Sequence, residues 1–234
     1  MIISDYKNYR KPLNFFPEIE PYEFGYIEVD DIHKVYYEVS GNSQGTPILF
    51  IHGGPGGATY PKHRQFFDPA HYKIILFDQR GCGKSKPLGE VKNNNTEFLI
   101  EDIERIRSKL NINKWHIFGG SWGSTLALCY AIANADKVLS LTLRGIFLMR
   151  DEEINWLSKG VKNIFPDAYA ELISILSADE QKDIMQSFYN RINSADDNIR
   201  IEASLAWSKY ESSASKLLHD PENNEEINED FINS

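Results

Sequence analysis

The stretch Trp115-His-Ile-Phe-Gly-Gly-Ser-Trp-Gly-Ser-Thr-Leu-Ala-Leu128 joins a short apolar run to an Ala- and Leu-rich segment through a glycine-rich turn. Its centre, Gly119 to Gly123, fits the pattern G-x-S-x-G between a predicted strand and a predicted helix. Glycines in that context permit a tight turn that lifts the serine hydroxyl off the carboxyl end of a sheet. The helix that follows directs N–H groups and a positive dipole end at a developing oxyanion. Ser121 is therefore predicted to be a nucleophile, although the five-residue pattern alone also fits a plain Gly/Ser-rich loop.

Similar apolar runs flank this stretch at 47–51, 72–77 and 138–143. Short, nearly continuous apolar runs are typical of strands buried on both faces, as in a parallel sheet. An alternating segment over 24–40 predicts an antiparallel hairpin before them. Because helical patterns separate the later runs, the chain predicts an α/β fold with right-handed crossovers.

Two helices are predicted within this α/β region. One face of the first carries Leu99, Ile103, Ile106 and Leu110, with acidic residues near its start and basic residues near its end, as the helix dipole favours. The second, Ser124 to Asn134, is Ala- and Leu-rich and predicts a buried helix. From about 151 to 218 the pattern is helical without a strand candidate, which indicates a helical insertion or cap.

A second glycine-rich loop, His52-Gly-Gly-Pro-Gly-Gly57, follows the 47–51 run in the same way. Glycines there let the backbone approach a substrate carbonyl. The N–H groups of Gly54 and Trp122 together would make a two-donor oxyanion hole. Phosphate-binding loops do not fit, because the G-x-G-x-x-G pattern needs a glycine at Thr59 and the P-loop pattern needs one at Asp78.

Composition excludes several classes of function. The net charge of −9 argues against a nucleic-acid surface, and the last fifteen residues hold six acids with no Lys or Arg, which predicts a disordered tail. No run of 18 apolar residues is present, whereas a membrane span needs about 20. Cys82 and Cys129 cannot form a disulfide scaffold, which favours a reducing cytoplasm. Cys82 has no His or Cys at metal-ligand spacing nearby, so we expect no metal and no cofactor.

Several longer motifs carry a resemblance to a known family. They are HGGPGG at 52–57, FFDP at 66–69, FDQRGCGKS at 77–85, EDIERIR at 101–107, FGGSWGSTLAL at 118–128, LRGIFL at 143–148 and IFPDAY at 164–169. Over about 15–218 the chain resembles the prolyl aminopeptidases (proline iminopeptidases), serine peptidases of the α/β-hydrolase fold. Together with the patterns above, this resemblance predicts the N-terminal part of a hydrolase core over 1–150 and a helical cap over 151–218, followed by the acidic tail over 219–234 that composition indicates.

The same resemblance implies a reaction and its residues. Family members release N-terminal proline from peptides through an acyl-enzyme, which here would form on Ser121, with Gly54 and Trp122 as oxyanion donors. Phe147 matches an aromatic residue of the pyrrolidine pocket. The segment Ala206-Trp-Ser-Lys-Tyr-Glu211 matches one whose glutamate holds the substrate's free amine, so Glu211 is predicted to do so here. Read without the resemblance, Glu211 is an exposed helix acid. For Asp78 and Arg80 we expect structural roles.

The catalytic base is harder to find. In α/β hydrolases the order is Ser, acid, His, and His219 alone among the six histidines follows Ser121. The family's catalytic Asp and His lie further on, so we expect a truncated or split form, nearly inactive alone, with a complementing C-terminal fragment as candidate partner. The alternatives are a non-catalytic remnant or binding module, and an esterase or amidase that uses His219 as base.

Overall fold

The computed structural model describes residues 15–215. They form two compact units that divide between Leu148 and Met149. The predicted acidic tail and His219 lie outside the described residues.

The first unit is built on a six-stranded sheet. Its strands are β1 (Glu23–Glu28), β2 (Lys34–Gly41), β3 (Thr46–Ile51), β4 (Tyr72–Phe77), β5 (Trp115–Gly120) and β6 (Val138–Arg144), in the order β1-β2-β4-β3-β5-β6. Strand β2 runs antiparallel to both β1 and β4, whereas β4, β3, β5 and β6 are mutually parallel. The predicted α/β sheet, mostly parallel with an N-terminal antiparallel hairpin, is confirmed.

Two helices of this unit follow from local sequence signals. Helix α1 (Thr96–Lys109) begins after Asn95, whose side chain accepts a hydrogen bond from the Phe98 N–H at 3.1 Å. Its predicted apolar face is buried in the main core with the β-strands. Helix α2 (Trp122–Ala133) begins two residues before the predicted start, directly after Ser121. The helix predicted as buried packs one face into the main core through Leu126, Ala127 and Tyr130, while its other face is open, with Ile132 82% exposed.

The described part of the second unit is helical. It contains α3 (Asp151–Asn155), a π-helical turn (Trp156–Gly160), α4 (Pro166–Ser174), α5 (Ile184–Ile192) and α6 (Asp197–Ala214), together with short 3₁₀ turns. Its core is a separate apolar cluster that includes Leu172, Phe188 and Tyr210. The buried Tyr210 hydroxyl donates to the Leu157 carbonyl at 2.6 Å, which fastens α6 to the π-helical turn.

Candidate active site

The G-x-S-x-G turn has the strained geometry of a nucleophile elbow. Ser121 lies between β5 and α2 with φ 53° and ψ −126°, and its side chain is exposed. Gly123 packs against the end of β3, and a Cβ added to it would lie 2.3 Å from the Ile51 carbonyl oxygen. A side chain at 123 therefore has no room, which explains why the turn needs a glycine there.

Backbone hydrogen bonds hold this turn in place. The Ser121 N–H donates to the Arg144 carbonyl at 3.0 Å, and the Ser121 carbonyl accepts from the Ser124 N–H at 2.8 Å and the Ser124 hydroxyl at 2.6 Å. Within residues 15–148, no His, Asp or Glu side chain hydrogen-bonds the Ser121 hydroxyl. Within the described first unit, the predicted nucleophile thus has no base hydrogen-bonded to its hydroxyl.

Replacing Ser121 by glycine should stabilise the protein relative to Ser121→Ala. A non-glycine residue at this φ is destabilised by roughly 1–3 kcal/mol of backbone strain, which glycine avoids. Glycine in turn loses about 0.5–1 kcal/mol more than alanine in chain entropy on folding. We expect a net gain of about 1 kcal/mol in the free energy of unfolding, measured by urea denaturation of both variants. If the glycine variant were instead less stable than Ser121→Ala by about 0.5–1 kcal/mol, the cost of glycine chain entropy alone, the elbow would be unstrained.

The predicted oxyanion loop lies directly against the elbow. A Cβ added to Gly53 would be 3.3 Å from the Ser121 Cβ. Gly54 has φ 122°, and a Cβ there would lie 2.5 Å from the Gly56 nitrogen, so the loop is a tight turn open only to glycine. Trp122 is the first residue of α2, where a backbone N–H has no intrahelical partner.

Sequence reasoning did not single out Gln79, which connects these two segments. Its amide Nε2 donates to the His52 carbonyl at 2.9 Å, and its Oε1 accepts from the Trp122 indole Nε1 at 2.9 Å. Its backbone N–H donates to His52 Nε2 at 2.9 Å. The only available signal was its place two residues after the end of the buried strand β4, in the motif Asp78-Gln-Arg80.

The two histidines of this region are packed against other groups, and both have lowered pKa values. His52 Nδ1 donates to the Gly53 carbonyl at 2.9 Å while its Nε2 accepts from Gln79, so both ring nitrogens are engaged. Burial lowers the pKa of His52. His63 stacks on Phe50 with ring centroids 4.5 Å apart, and burial, followed by the nearby His52 and Arg144, lowers the pKa of His63 to about 4. Both rings are therefore neutral near neutral pH.

Asp78 and Arg80 have the structural roles predicted for them. The Asp78 carboxylate accepts from the N–H and hydroxyl of Thr59, each at 2.7 Å, and from the Lys84 N–H at 2.8 Å. Arg80 is buried and paired with Asp102 and Asp30. In the same loop, burial and then the Asp78 charge raise the pKa of the Cys82 thiol to about 11, which leaves it protonated and unreactive.

Phe147, predicted for the pyrrolidine pocket, is held close to the elbow by its backbone. Its N–H donates to the Ser124 hydroxyl at 3.3 Å, and its carbonyl accepts from the Thr125 hydroxyl. Both partners belong to the first turn of α2, so the segment after β6 folds back over the residues that follow Ser121. This position is compatible with a pocket wall, and the role itself stays a prediction.

Glu211, predicted to hold the substrate amine, lies on α6 in the second unit. Its side chain is exposed, yet the protein atoms around its carboxyl group raise the Glu211 pKa, and a hydrogen bond from Trp207 opposes that shift. Trp207 itself packs on Phe188 with ring centroids 5.3 Å apart. The carboxylate is accessible to a ligand, and its role as amine anchor stays a prediction.

Two features are absent from residues 15–215. In that range, no group of three or more His, Cys, Asp or Glu side chains is placed to hold a metal ion. Nor does any helix there have the length and apolar character needed to cross a membrane.

Comparison with known proteins identifies the family. A family model described as the alpha/beta hydrolase fold matches residues 46–233. A proline iminopeptidase from Xanthomonas citri is 44% identical over 218 residues, which are 93% of this chain and 67% of that protein. The chain belongs to the proline iminopeptidase family. A probable proline iminopeptidase from Leptolyngbya boryana is 49% identical over 88% of the chain, and one from Arabidopsis thaliana is 45% identical over 92%.

The chain spans only part of the length of these family members. It covers 64% of the Leptolyngbya protein and 57% of the Arabidopsis protein. Among solved structures, a proline iminopeptidase-related protein from Thermus thermophilus matches with a TM-score of 0.52 at 19% identity, over 82% of this chain and 66% of that one. This likeness shows the α/β-hydrolase fold.

Proposed function

We propose that the chain carries the nucleophile and oxyanion hole of a prolyl aminopeptidase, which releases N-terminal proline from peptides. The observation that supports this most directly is the strained, exposed Ser121 at the start of α2, with the Gly53–Gly54 loop packed against it. Ser121 would attack the carbonyl of the N-terminal proline, and the N–H groups of Gly54 and Trp122 would stabilise the oxyanion of the tetrahedral intermediate. The leaving amine would depart to give a prolyl-enzyme, which water then hydrolyses.

Substrate selection in this proposal rests on two further residues. The free amine of the substrate is a cation, and the Glu211 carboxylate would bind it by charge-assisted hydrogen bonds. Phe147 would contact the pyrrolidine ring, whose apolar surface suits an aromatic wall. Proline substrates should then be preferred over those with other N-terminal residues. We place this activity in the cytoplasm, consistent with the free thiols of Cys82 and Cys129.

We further propose that the chain by itself turns over slowly. Serine is a weak nucleophile until a base removes its proton, and in the described first unit the Ser121 hydroxyl contacts no such base. Loss of triad members costs roughly 10⁴- to 10⁶-fold in rate in model proteases. A complementing C-terminal polypeptide of the family would supply the acid and base. Its strand would pair with β6, which has one strand neighbour, β5, among the described residues.

The test is proline p-nitroanilide turnover, measured together with labelling by a fluorophosphonate probe and peptide mapping of the labelled serine. We expect little turnover by the chain alone, and release of proline when the C-terminal third of the Xanthomonas relative is added as a separate polypeptide. Ser121→Ala is the control and should abolish both signals. Fast proline release by the chain alone would refute the slow-turnover proposal. Ester turnover without proline release after addition would refute the substrate assignment.

A further inference from the structure

The side chain of Gln79 joins the two segments that carry the proposed oxyanion donors. It is 2% exposed, so water cannot replace its hydrogen bonds. The orientation of its amide is fixed by chemistry, because the His52 carbonyl can only accept and the Trp122 indole can only donate. One planar amide therefore connects the residue two positions before Gly54 to the side chain of the residue that follows Ser121.

The His52 ring strengthens this connection from the other side. Its Nε2 accepts from the Gln79 backbone N–H and its Nδ1 donates to the Gly53 carbonyl, both at 2.9 Å. Gln79 thus hydrogen-bonds His52 at two points, with its backbone N–H to the ring and its side-chain amide to the carbonyl. These bonds hold His52 and Gly53, which precede Gly54, at a fixed distance from Gln79 just after β4. The Trp122 side chain at the start of α2 is held to the same glutamine.

We propose that Gln79 is a positioning residue, which sets the separation between the Gly54 and Trp122 N–H groups so that both reach one oxyanion. This inference rests on the proposed serine acyl transfer. Oxyanion donors act only within a narrow range of distance, and a misplacement of about 1 Å can cost on the order of 100-fold in rate. Without the amide of Gln79, the loop and the helix are no longer joined at this point, and each can move independently.

A thiol at position 121 allows a test that needs neither a catalytic base nor a proline substrate. In Ser121→Cys, the thiolate attacks p-nitrophenyl acetate, p-nitrophenolate leaves, and the tetrahedral intermediate uses the oxyanion hole. The same thiolate displaces iodide from iodoacetamide without forming an oxyanion. Both rates are followed by peptide mass spectrometry at position 121, and the acylation rate is divided by the alkylation rate. This ratio reports the contribution of the oxyanion hole, because the accessibility and ionisation of the thiol affect both rates.

In the Ser121→Cys background, Gln79→Met should lower this ratio about tenfold or more. Loss of one oxyanion donor lowers the rate of such reactions roughly 100- to 1,000-fold, and misalignment of a donor should give a part of that effect. Trp122→Phe, which removes the indole N–H but keeps the backbone donor, should lower it in the same direction. The matched control is Gln44→Met, the same chemical change at an exposed position, which should leave the ratio unchanged.

Gln79→Glu supplies a signature that a merely structural role would not give. A protonated glutamic acid has the donor and acceptor layout of the glutamine amide, so the ratio for this variant should rise as the pH is lowered. This variant also keeps the test decisive if Gln79→Met fails to fold, since a pH-independent ratio would overturn the proposal.

The outcomes separate this inference from the proposed function. If the ratio for Ser121→Cys does not exceed that of free N-acetylcysteine, the oxyanion hole is absent and both fail. If the ratio exceeds that of the free thiol but does not change in folded Gln79→Met, the positioning role of Gln79 alone is wrong. Failure to release proline, with a ratio that depends on Gln79, would refute the aminopeptidase assignment and leave the positioning role intact.

Discussion

Asp102→Asn is expected to lower the free energy of unfolding by about 3–5 kcal/mol, the usual cost of removing one partner of a buried ion pair. Asp102 on α1 accepts from Arg80 Nε at 2.6 Å and Nη2 at 2.8 Å, and both side chains are almost completely buried. The variant leaves the Arg80 charge in the core with Asp30 as its remaining carboxylate partner. Since domains have a total stability of about 5–15 kcal/mol, the loss should be visible as a large shift of the urea midpoint.

Glu101→Gln is the matched control for this experiment. It removes the same charge one position earlier on α1, where Glu101 and Arg105 form an exposed pair 3.8 Å apart. Such surface pairs contribute about 0–1 kcal/mol. The double variant Arg80→Met with Asp102→Leu should regain part of the lost stability, because it removes both buried charges of the pair, although the partly exposed Asp30 then loses Arg80 as a partner. Similar losses for Asp102→Asn and Glu101→Gln would contradict the structural role assigned to the buried pair.

Gly123→Ala is the second substitution with a large expected effect, a loss of about 3 kcal/mol or more in the free energy of unfolding. The new Cβ would lie 2.3 Å from the Ile51 carbonyl oxygen and 2.8 Å from that of His52. Both atoms are backbone, so neither can move aside by a change of rotamer. The end of β3 would have to shift, together with the loop that contains Gly54.

The control for this prediction is Gly25→Ala. Position 25 is in β1, and there the nearest atom to an added Cβ is at 3.8 Å, an ordinary contact distance. We expect its urea midpoint to change little, within about 1 kcal/mol, since alanine fits without strain. If Gly123→Ala were no more harmful than Gly25→Ala, the close packing of the elbow on β3 would be wrong. Thiol acylation in the Ser121→Cys background should fall in Gly123→Ala as well, because the same shift displaces the oxyanion loop.

The sequence predicted those features whose causes are local. The parallel strands are short apolar runs, and those of β3, β4 and β5 are followed by glycine-rich turns that mark where each strand ends. The elbow at Ser121 could be located because a strand pattern, a G-x-S-x-G turn and a helix pattern follow one another directly. The antiparallel hairpin of β1 and β2 was visible for the same reason. That only one face of α2 is buried could not be predicted, because an Ala- and Leu-rich composition does not show which faces of a helix are covered.

Contacts between residues that are far apart in the sequence could not be predicted from local patterns. A glutamine after a strand carries no periodic signal, and Gln79 acquires its place from His52 and Trp122, which lie 27 and 43 residues away. Arg80 likewise finds Asp102 and Asp30 at separations of 22 and 50 residues. The neutrality of His52 and His63 is also a tertiary effect, because burial and neighbouring charges lower both pKa values.

By itself, the sequence determined the order of the elements and the two glycine-rich turns, with Ser121 as the predicted nucleophile, because each is encoded within about ten consecutive residues. Only the tertiary structure decided how these parts are held together. It showed the positive φ of Ser121, the packing of Gly123 on β3 and the Gln79 amide between the loop and the helix. Such contacts arise when parallel strands bring their carboxyl ends to one edge of the sheet, which no local pattern specifies.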